Sequence, residues 1–250
     1  MARSRGIAIR LCAATLTAGA VLSAPLLNPL AAAQPCPDIE VVFARGTGDP
    51  PGVGLVGQAF IDSLRSKVGG RSVEAYAINY AATMNFLRAA EGAADGNNHI
   101  QFMAANCPAT RLVLGGFSQG AAVVDLMGGV TPGLGAIPGV GAIPGLAAVP
   151  GVGAIPGLAA VPGLDLGAVA APLPPESADR VAAVAVFGNP LGKILGPLNV
   201  LSPVFGARTI DLCNATDPIC GEGDLDNRAA HHQYVPGMTD QAATFVAGLV

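Results

Sequence analysis

Apolar positions fall into short runs separated by glycine, proline and polar breaks. "DIEVVFARG" (38–46) is an apolar run ending in a glycine loop and predicts a buried strand. "GLVGQAFIDSLRSKV" (54–68) predicts a helix, "SVEAYAINY" (72–80) alternates like a strand, and 84–107 holds helical material. "RLVLGG" (111–116) predicts a strand and "QGAAVVDLMGG" (119–129) a helix ending in glycine. Further on, 180–190 and 207–214 predict strands and 239–250 a final helix. Strands that alternate with helices and are apolar throughout predict a mostly parallel sheet covered by helices on both faces.

Two stretches break this pattern. Residues 135–164 are five hexapeptides of the form small-Ala-(Ile or Val)-Pro-Gly-(Val or Leu). Pro-Gly at the centre of each favours type II turns, and the apolar residues between them set the array apart from ordinary polar disorder. It sits within 131–172, between the 119–129 helix and the strand near 180, so it reads as an insertion in a helix-to-strand connection. Such connections return to the sheet edge opposite the strand carboxyl ends, where active sites of α/β folds lie. The composition suits contact with lipid, wall material or the domain itself, and does not choose among them. The second stretch is residues 1–33. Arg3, Arg5 and Arg10 precede an apolar run, and Ala31-Ala32-Ala33 offers a small-residue cleavage site, the layout of a secretion signal. Pro25 and Pro29 interrupt the run, which is short for a membrane span.

On this reading one domain, 34–250, is interrupted by 131–172. It keeps 10 of the 13 basic residues against 17 acidic ones, about −7 in formal charge. An acidic chain without a basic cluster is a poor nucleic-acid binder. No phosphate-binding loop, zinc-spaced Cys/His set or EF-hand pattern appears, so no metal and no cofactor are expected. Cys12 leaves with the signal, and Cys36, Cys107, Cys213 and Cys220 remain. An even count in a secreted chain argues for two disulfides. Cys213 and Cys220 are close enough to close a small loop, which leaves Cys36 with Cys107.

The candidate chemistry is in Gly116-Phe117-Ser118-Gln119-Gly120. The pattern G-x-S-x-G is that of a nucleophile elbow, a strand-to-helix turn needing small residues two places before and after the serine. Glycine is abundant, 34 in 250 residues, so the motif alone is weak. The strand predicted before it and the helix predicted after it give it weight. A serine elbow needs an acid and then a histidine later in the chain. His99 precedes the serine, whereas His231 and His232 both follow it near the end. Asp217 lies between Cys213 and Cys220, where a small disulfide loop would fix its direction toward an imidazole.

"CPDIEVVFARGTG", "GGFSQGAAV", "CNATDPIC" and "HHQYVPG" together resemble the cutinase family of secreted serine esterases, notably its bacterial branch. The resemblance spans nearly all of 34–250 except the array. It implies a compact α/β-hydrolase without a dedicated lid, needing no cofactor, and Ser118 as nucleophile, Asp217 as acid and His231 as base. His231 rather than His232 follows from the H-x-x-Y-x-P spacing to Tyr234 and Pro236. The resemblance also implies an oxyanion hole from Thr47 and Gln119, with the Thr47 hydroxyl as a further donor, and the same two disulfides. The substrate expected is an ester or lipid, the location extracellular, the protein a monomer, and any lipid or wall contact peripheral. Two other readings stand beside a cutinase-type esterase: a lipase or phospholipase for longer acyl chains, and a cell-envelope interaction protein working through the repeat.

Overall fold

A computed structural model describes residues 35–130 and 172–250; the expected signal and the hexapeptide array lie outside the described residues. Five strands, β1 (Ile39–Ala44), β2 (Val73–Ala77), β3 (Arg111–Phe117), β4 (Val181–Phe187) and β5 (Thr209–Leu212), form one sheet in the order β2-β1-β3-β4-β5. Every neighbouring pair is parallel. The helices are α1 (Gly54–Lys67), α2 (Ala89–Asn106), α3 (Gln119–Met127), α4 (Pro175–Ala178), α5 (Pro190–Leu195), α6 (Leu198–Leu201) and α7 (Gly237–Ala247). None of the described helices is long and apolar enough to cross a membrane.

The strands are apolar on both faces because both faces are covered. Ile39, Val41 and Phe43 of β1 join α1 and α7 in one core, whereas Val42 and Ala44 join α2 and α3 in the other. Phe43 anchors the first core. Its ring sits between Gly57 of α1 and Gly115 of β3, where an added Cβ would lie 2.7 and 2.6 Å from it. Phe60 and Phe187 complete an aromatic group with centroids 5.9–6.5 Å apart.

The strand order places the site. The chain runs outward from β1 to β2, crosses back over β1 to β3, then continues the other way. The loops after β1 and β3 therefore diverge from adjacent strands at a switch point, the crevice where α/β sheets receive ligands. Thr47 and Ser118 are on those two loops.

The predicted elements are all present, with shifted ends. The 84–107 segment is a short 3-10 turn, Phe86–Arg88, followed by α2, and Asn85 caps the turn by accepting from the Leu87 amide at 3.2 Å. The final helix starts at Gly237, two residues early. Three further helices lie where the apolar pattern predicts none, α4 ahead of β4 and α5 and α6 between β4 and β5, because each is too short to show a period. His99 is on α2, bonded to Glu40 at 2.9 Å and stacked on Tyr76, apart from the switch point.

Beneath the sheet's carboxyl end, Asp125 of α3 and Asp211 of β5 both accept from the Asn189 amide at 3.2 Å. Burial pushes both carboxyls up, and at Asp125 the charge of Asp211 adds to the rise. A carboxyl raised in the folded chain binds its proton more tightly there than when unfolded. Its stabilising contribution is complete below the unfolded value, near 4, and is lost as pH rises through the folded one. Asp125→Asn should therefore gain stability relative to wild type as pH rises from 5 to 8. Urea unfolding at several pH values checks this, and parallel stability curves would refute it.

Candidate active site

Ser118 occupies a backbone conformation that side chains rarely adopt, φ 55° and ψ −119°. The turn closes so tightly that Gly116 and Gly120 touch backbone directly. A Cβ on Gly116 would lie 2.2 Å from the Gly120 carbonyl oxygen, and one on Gly120 would lie 2.0 Å from the Ala44 oxygen. Neither position accepts alanine without moving main chain. The Ser118 amide donates to the Phe187 carbonyl at 2.9 Å, which ties the turn to β4. The result lifts the Ser118 hydroxyl above the sheet at the start of α3.

His231 lies in a short 3-10 turn, Arg228–His232. Its Nε2 is 2.8 Å from Ser118 Oγ and its Nδ1 is 2.6 Å from Asp217 Oδ2. Asp217 accepts from other donors as well, so it is a carboxylate and Nδ1 carries the proton. Nε2 is then left to accept from the serine hydroxyl. His231 is buried against Phe117, with ring centroids 5.1 Å apart, whereas His232 is exposed. The spacing argument for His231 thus has a physical counterpart: both rings lie near Phe117, but His231 is buried and bonded to Ser118 and Asp217, whereas His232 is exposed.

Asp217 is fully buried. Burial alone would raise its carboxyl. Hydrogen bonds from Tyr234, from His231 and from the Ile219 amide outweigh that and hold it below the ordinary aspartate range. The Tyr234 hydroxyl donates to Oδ2 at 2.5 Å and the Ile219 amide to Oδ1 at 2.7 Å. The loop carrying Asp217 is closed by the Cys213–Cys220 disulfide, and the second disulfide joins Cys36 to Cys107, both as expected from the sequence. Lys193 of α5 adds a clasp by donating to the Gly221 and Pro218 carbonyls at 2.6 and 3.3 Å. Cys213, Cys220 and Asp217 cluster within 4.8 Å. The two sulfurs are bonded to each other and the carboxylate oxygens are already taken by donors, so this is a fastened acid loop rather than a cation site.

Thr47 and Gln119 also meet. The Thr47 hydroxyl donates to Gln119 Oε1 at 3.2 Å, and Gln119 Nε2 donates to the Asn85 carbonyl at 3.4 Å. The Gln119 amide is the first of α3, and first-turn amides have no partner within their own helix. The Thr47 loop is braced from below. Arg45 donates to the carbonyls of Tyr80, Asp49 and Ile78 at 2.6, 3.0 and 3.4 Å, and the Tyr80 hydroxyl donates back to the Arg45 carbonyl. Gly48 bonds the Ala82 carbonyl at 2.8 Å.

All five candidate residues therefore converge at the switch point. The sequence did not point to Tyr234 as a contact of the acid, nor to Lys193, Arg45 or Asn85 as braces. The arginine inside a glycine-rich loop was a usable signal, because a charged side chain there needs local acceptors.

The parallel sheet and the linked serine, histidine and aspartate define an α/β serine hydrolase. Residues 35–250 match the family model for Cutinase. A protein of Mycobacterium tuberculosis named Phospholipase Culp4 is 48% identical over 242 residues, covering 96% of this chain and 90% of that one. Carboxylesterase Culp1 of the same species is 42% identical over 236 residues, covering 91% and 88%. The solved structure of Trichoderma reesei cutinase with a phosphonate inhibitor aligns with TM-score 0.57 and 27% identity, covering 86% of this chain and 77% of that one. The chain belongs to the cutinase family, and is a serine ester hydrolase.

The two histidines separate cleanly by experiment. His231→Ala should lower ester turnover by at least a thousandfold. His232→Ala should stay within a few-fold of wild type. Initial rates on a soluble ester decide it, and the reverse result would reassign the base.

Proposed function

We propose that this protein is a secreted carboxylester hydrolase that works through an acyl-enzyme on Ser118. The observation that carries the reading is the unbroken hydrogen-bond chain from Ser118 Oγ through both nitrogens of His231 to Asp217. In the proposed reaction Ser118 Oγ attacks the ester carbonyl while Nε2 of His231 takes its proton. Asp217 supports the imidazolium. The carbonyl oxygen, now negative, is held by the backbone N–H groups of Thr47 and Gln119, each such donor being worth about 3–4 kcal/mol in the transition state. Collapse expels the alcohol, which receives the proton from His231. Water then adds to the acyl-enzyme with His231 again as base, releasing the acid and restoring Ser118. Ester and water are the only reactants the steps require.

The Thr47 hydroxyl serves this scheme indirectly. Because its hydrogen goes to Gln119, it fixes the two halves of the oxyanion site relative to each other. Secretion is supported by two disulfides, which persist in oxidising compartments, and by the leader-like composition of residues 1–33.

A phospholipid substrate is the second reading, favoured by the name of the 48%-identical relative. A panel of p-nitrophenyl esters of increasing acyl length, beside phospholipid vesicles, separates the two. Ser118→Ala should reduce turnover of every substrate to background while the circular dichroism spectrum is retained. More than a few per cent residual activity would reject Ser118 as nucleophile.

We also assign the 131–172 insertion to location rather than chemistry. Its described flanks support this. Val130 follows the end of α3, and nine helical residues at about 1.5 Å each put that end about 13 Å from Ser118. Leu173 donates to the Met127 carbonyl at 2.9 Å, so the chain returns where it left. Replacing 131–172 by a short Gly/Ser linker should keep soluble-ester turnover within a few-fold and weaken adsorption to lipid emulsion or envelope fragments. Loss of soluble-ester turnover in a folded variant would place the insertion in the acyl site instead.

A further inference from the structure

We propose that Tyr234 is a positioning residue for the hydrolysis: by sharing Oδ2 of Asp217 with His231, its hydroxyl sets how strongly the acid supports the charged imidazole. This rests on reading Ser118, His231 and Asp217 as the catalytic set.

A carboxylate oxygen offers two lone-pair directions. Oδ2 of Asp217 receives two donors, the His231 N–H at 2.6 Å and the Tyr234 O–H at 2.5 Å, while Oδ1 receives the Ile219 amide at 2.7 Å. The two donors on Oδ2 compete for the same charge. When His231 takes the serine proton, its positive charge draws on Oδ2, and the tyrosine withdraws part of what is available. Without the phenol proton the carboxylate would hold the imidazolium more tightly, and His231 would keep a proton to higher pH.

The phenol has no alternative arrangement. Its ring stands edge-on to Phe117 and Phe187, with centroids 5.6 and 6.1 Å away, and the residue is 1% exposed. On the open side lies Gly188, at φ 59°, where a Cβ would come within 3.0 Å of the hydroxyl. The Asn214 amide donates to the hydroxyl at 3.4 Å, so the phenol hydrogen goes to Asp217. Cys220 Sγ, 3.3 Å away, is in a disulfide and has no hydrogen to give. Burial, and then the bond to Asp217, push the phenol well above its ordinary range, so it stays a donor throughout the working pH range.

The other ionisable groups around the pair come from every neighbouring element. They are exposed His232, whose ring is 5.7 Å from His231; Asp211 of β5, whose charge acts on Tyr234; and the Lys193 ammonium on the acid loop. Arg45 and Asp49 brace the Thr47 loop beyond Phe117, and Glu222, Asp224, Asp226 and Arg228 are exposed on the segment leading to His231. All are unchanged when the phenol oxygen alone is removed, so a comparison isolates its effect.

The test is the pH dependence of kcat and KM on a short-chain p-nitrophenyl ester, using the full chain, wild type and Tyr234→Phe. Phenylalanine keeps the ring contacts. The acid limb of kcat/KM should move to higher pH by roughly 0.5–1 unit, less than the full worth of a hydrogen bond to a charged group, because only part of that bond's effect on the carboxylate reaches the imidazolium. KM on the plateau should stay within about twofold, because the buried phenol does not reach substrate. An acid limb that superimposes on wild type overturns the proposal, whether or not kcat has fallen. A second variant carries the opposite sign. 3-Fluorotyrosine at position 234 is a stronger donor and should move the limb to lower pH; no movement overturns the proposal even if Tyr234→Phe does not fold. Activity surviving in Ser118→Ala would instead remove the catalytic reading itself, and the two failures are distinguishable.

Discussion

Everything at this site depends on a turn that two residues permit by having no side chain. Gly120 meets the Ala44 carbonyl and Gly116 meets Gly120, each at a distance no Cβ tolerates. That contact draws α3 down onto β1 and β3 and forces Ser118 to positive φ. Backbone strain of this kind costs of order 1–3 kcal/mol and persists only where the surroundings over-determine it. Here they do: β3 is central in the sheet, the Ser118 amide is bonded to β4, and α3 is buried along nearly its whole length.

The remaining parts are fastened to this fixed point by different means. The Thr47 loop hangs on Arg45 and Tyr80, which trade hydrogen bonds with each other's main chain. The Asp217 loop is closed covalently and clasped by Lys193. The His231 turn leans on Phe117, the residue immediately before the serine. Three loops, each with its own brace, meet one rigid elbow. Precision at the site therefore comes from short-range fastenings more than from the sheet itself, which supplies only the common edge.

The sheet was legible because its signal is repeated. Apolar or alternating strand runs, with helical patterns between most of them, point to a covered parallel sheet, and the elbow glycines mark where backbone must approach backbone. The disulfides followed from an even cysteine count and one short spacing. What escaped was of two kinds. Helices α5 and α6, six and four residues long, are too brief for a period to emerge. The buried polar group beneath the sheet is assembled from remote elements, with Asp125 on α3, Asn189 capping α5 and Asp211 on β5, and nothing local separates a buried carboxyl from a surface one. Tyr234 was visible as part of a spacing, but its contact with the acid exists only once the chain has folded the 213–220 ring beneath it. The choice of His231 over His232 came from family resemblance; burial and direction supply the physical reason.

The bond from Leu173 to the Met127 carbonyl sets the domain's indifference to the length of what it encloses. Even treated as a flexible loop, a segment of about 40 residues pays closure entropy as the logarithm of its length, so one more six-residue unit adds only about 0.1 kcal/mol. Gain or loss of a unit by slippage of a repetitive coding stretch would be almost invisible to folding. Copy number can then drift freely between lineages with no trace in the stability of the fold, and only a role outside the hydrolase fold would hold it to one value.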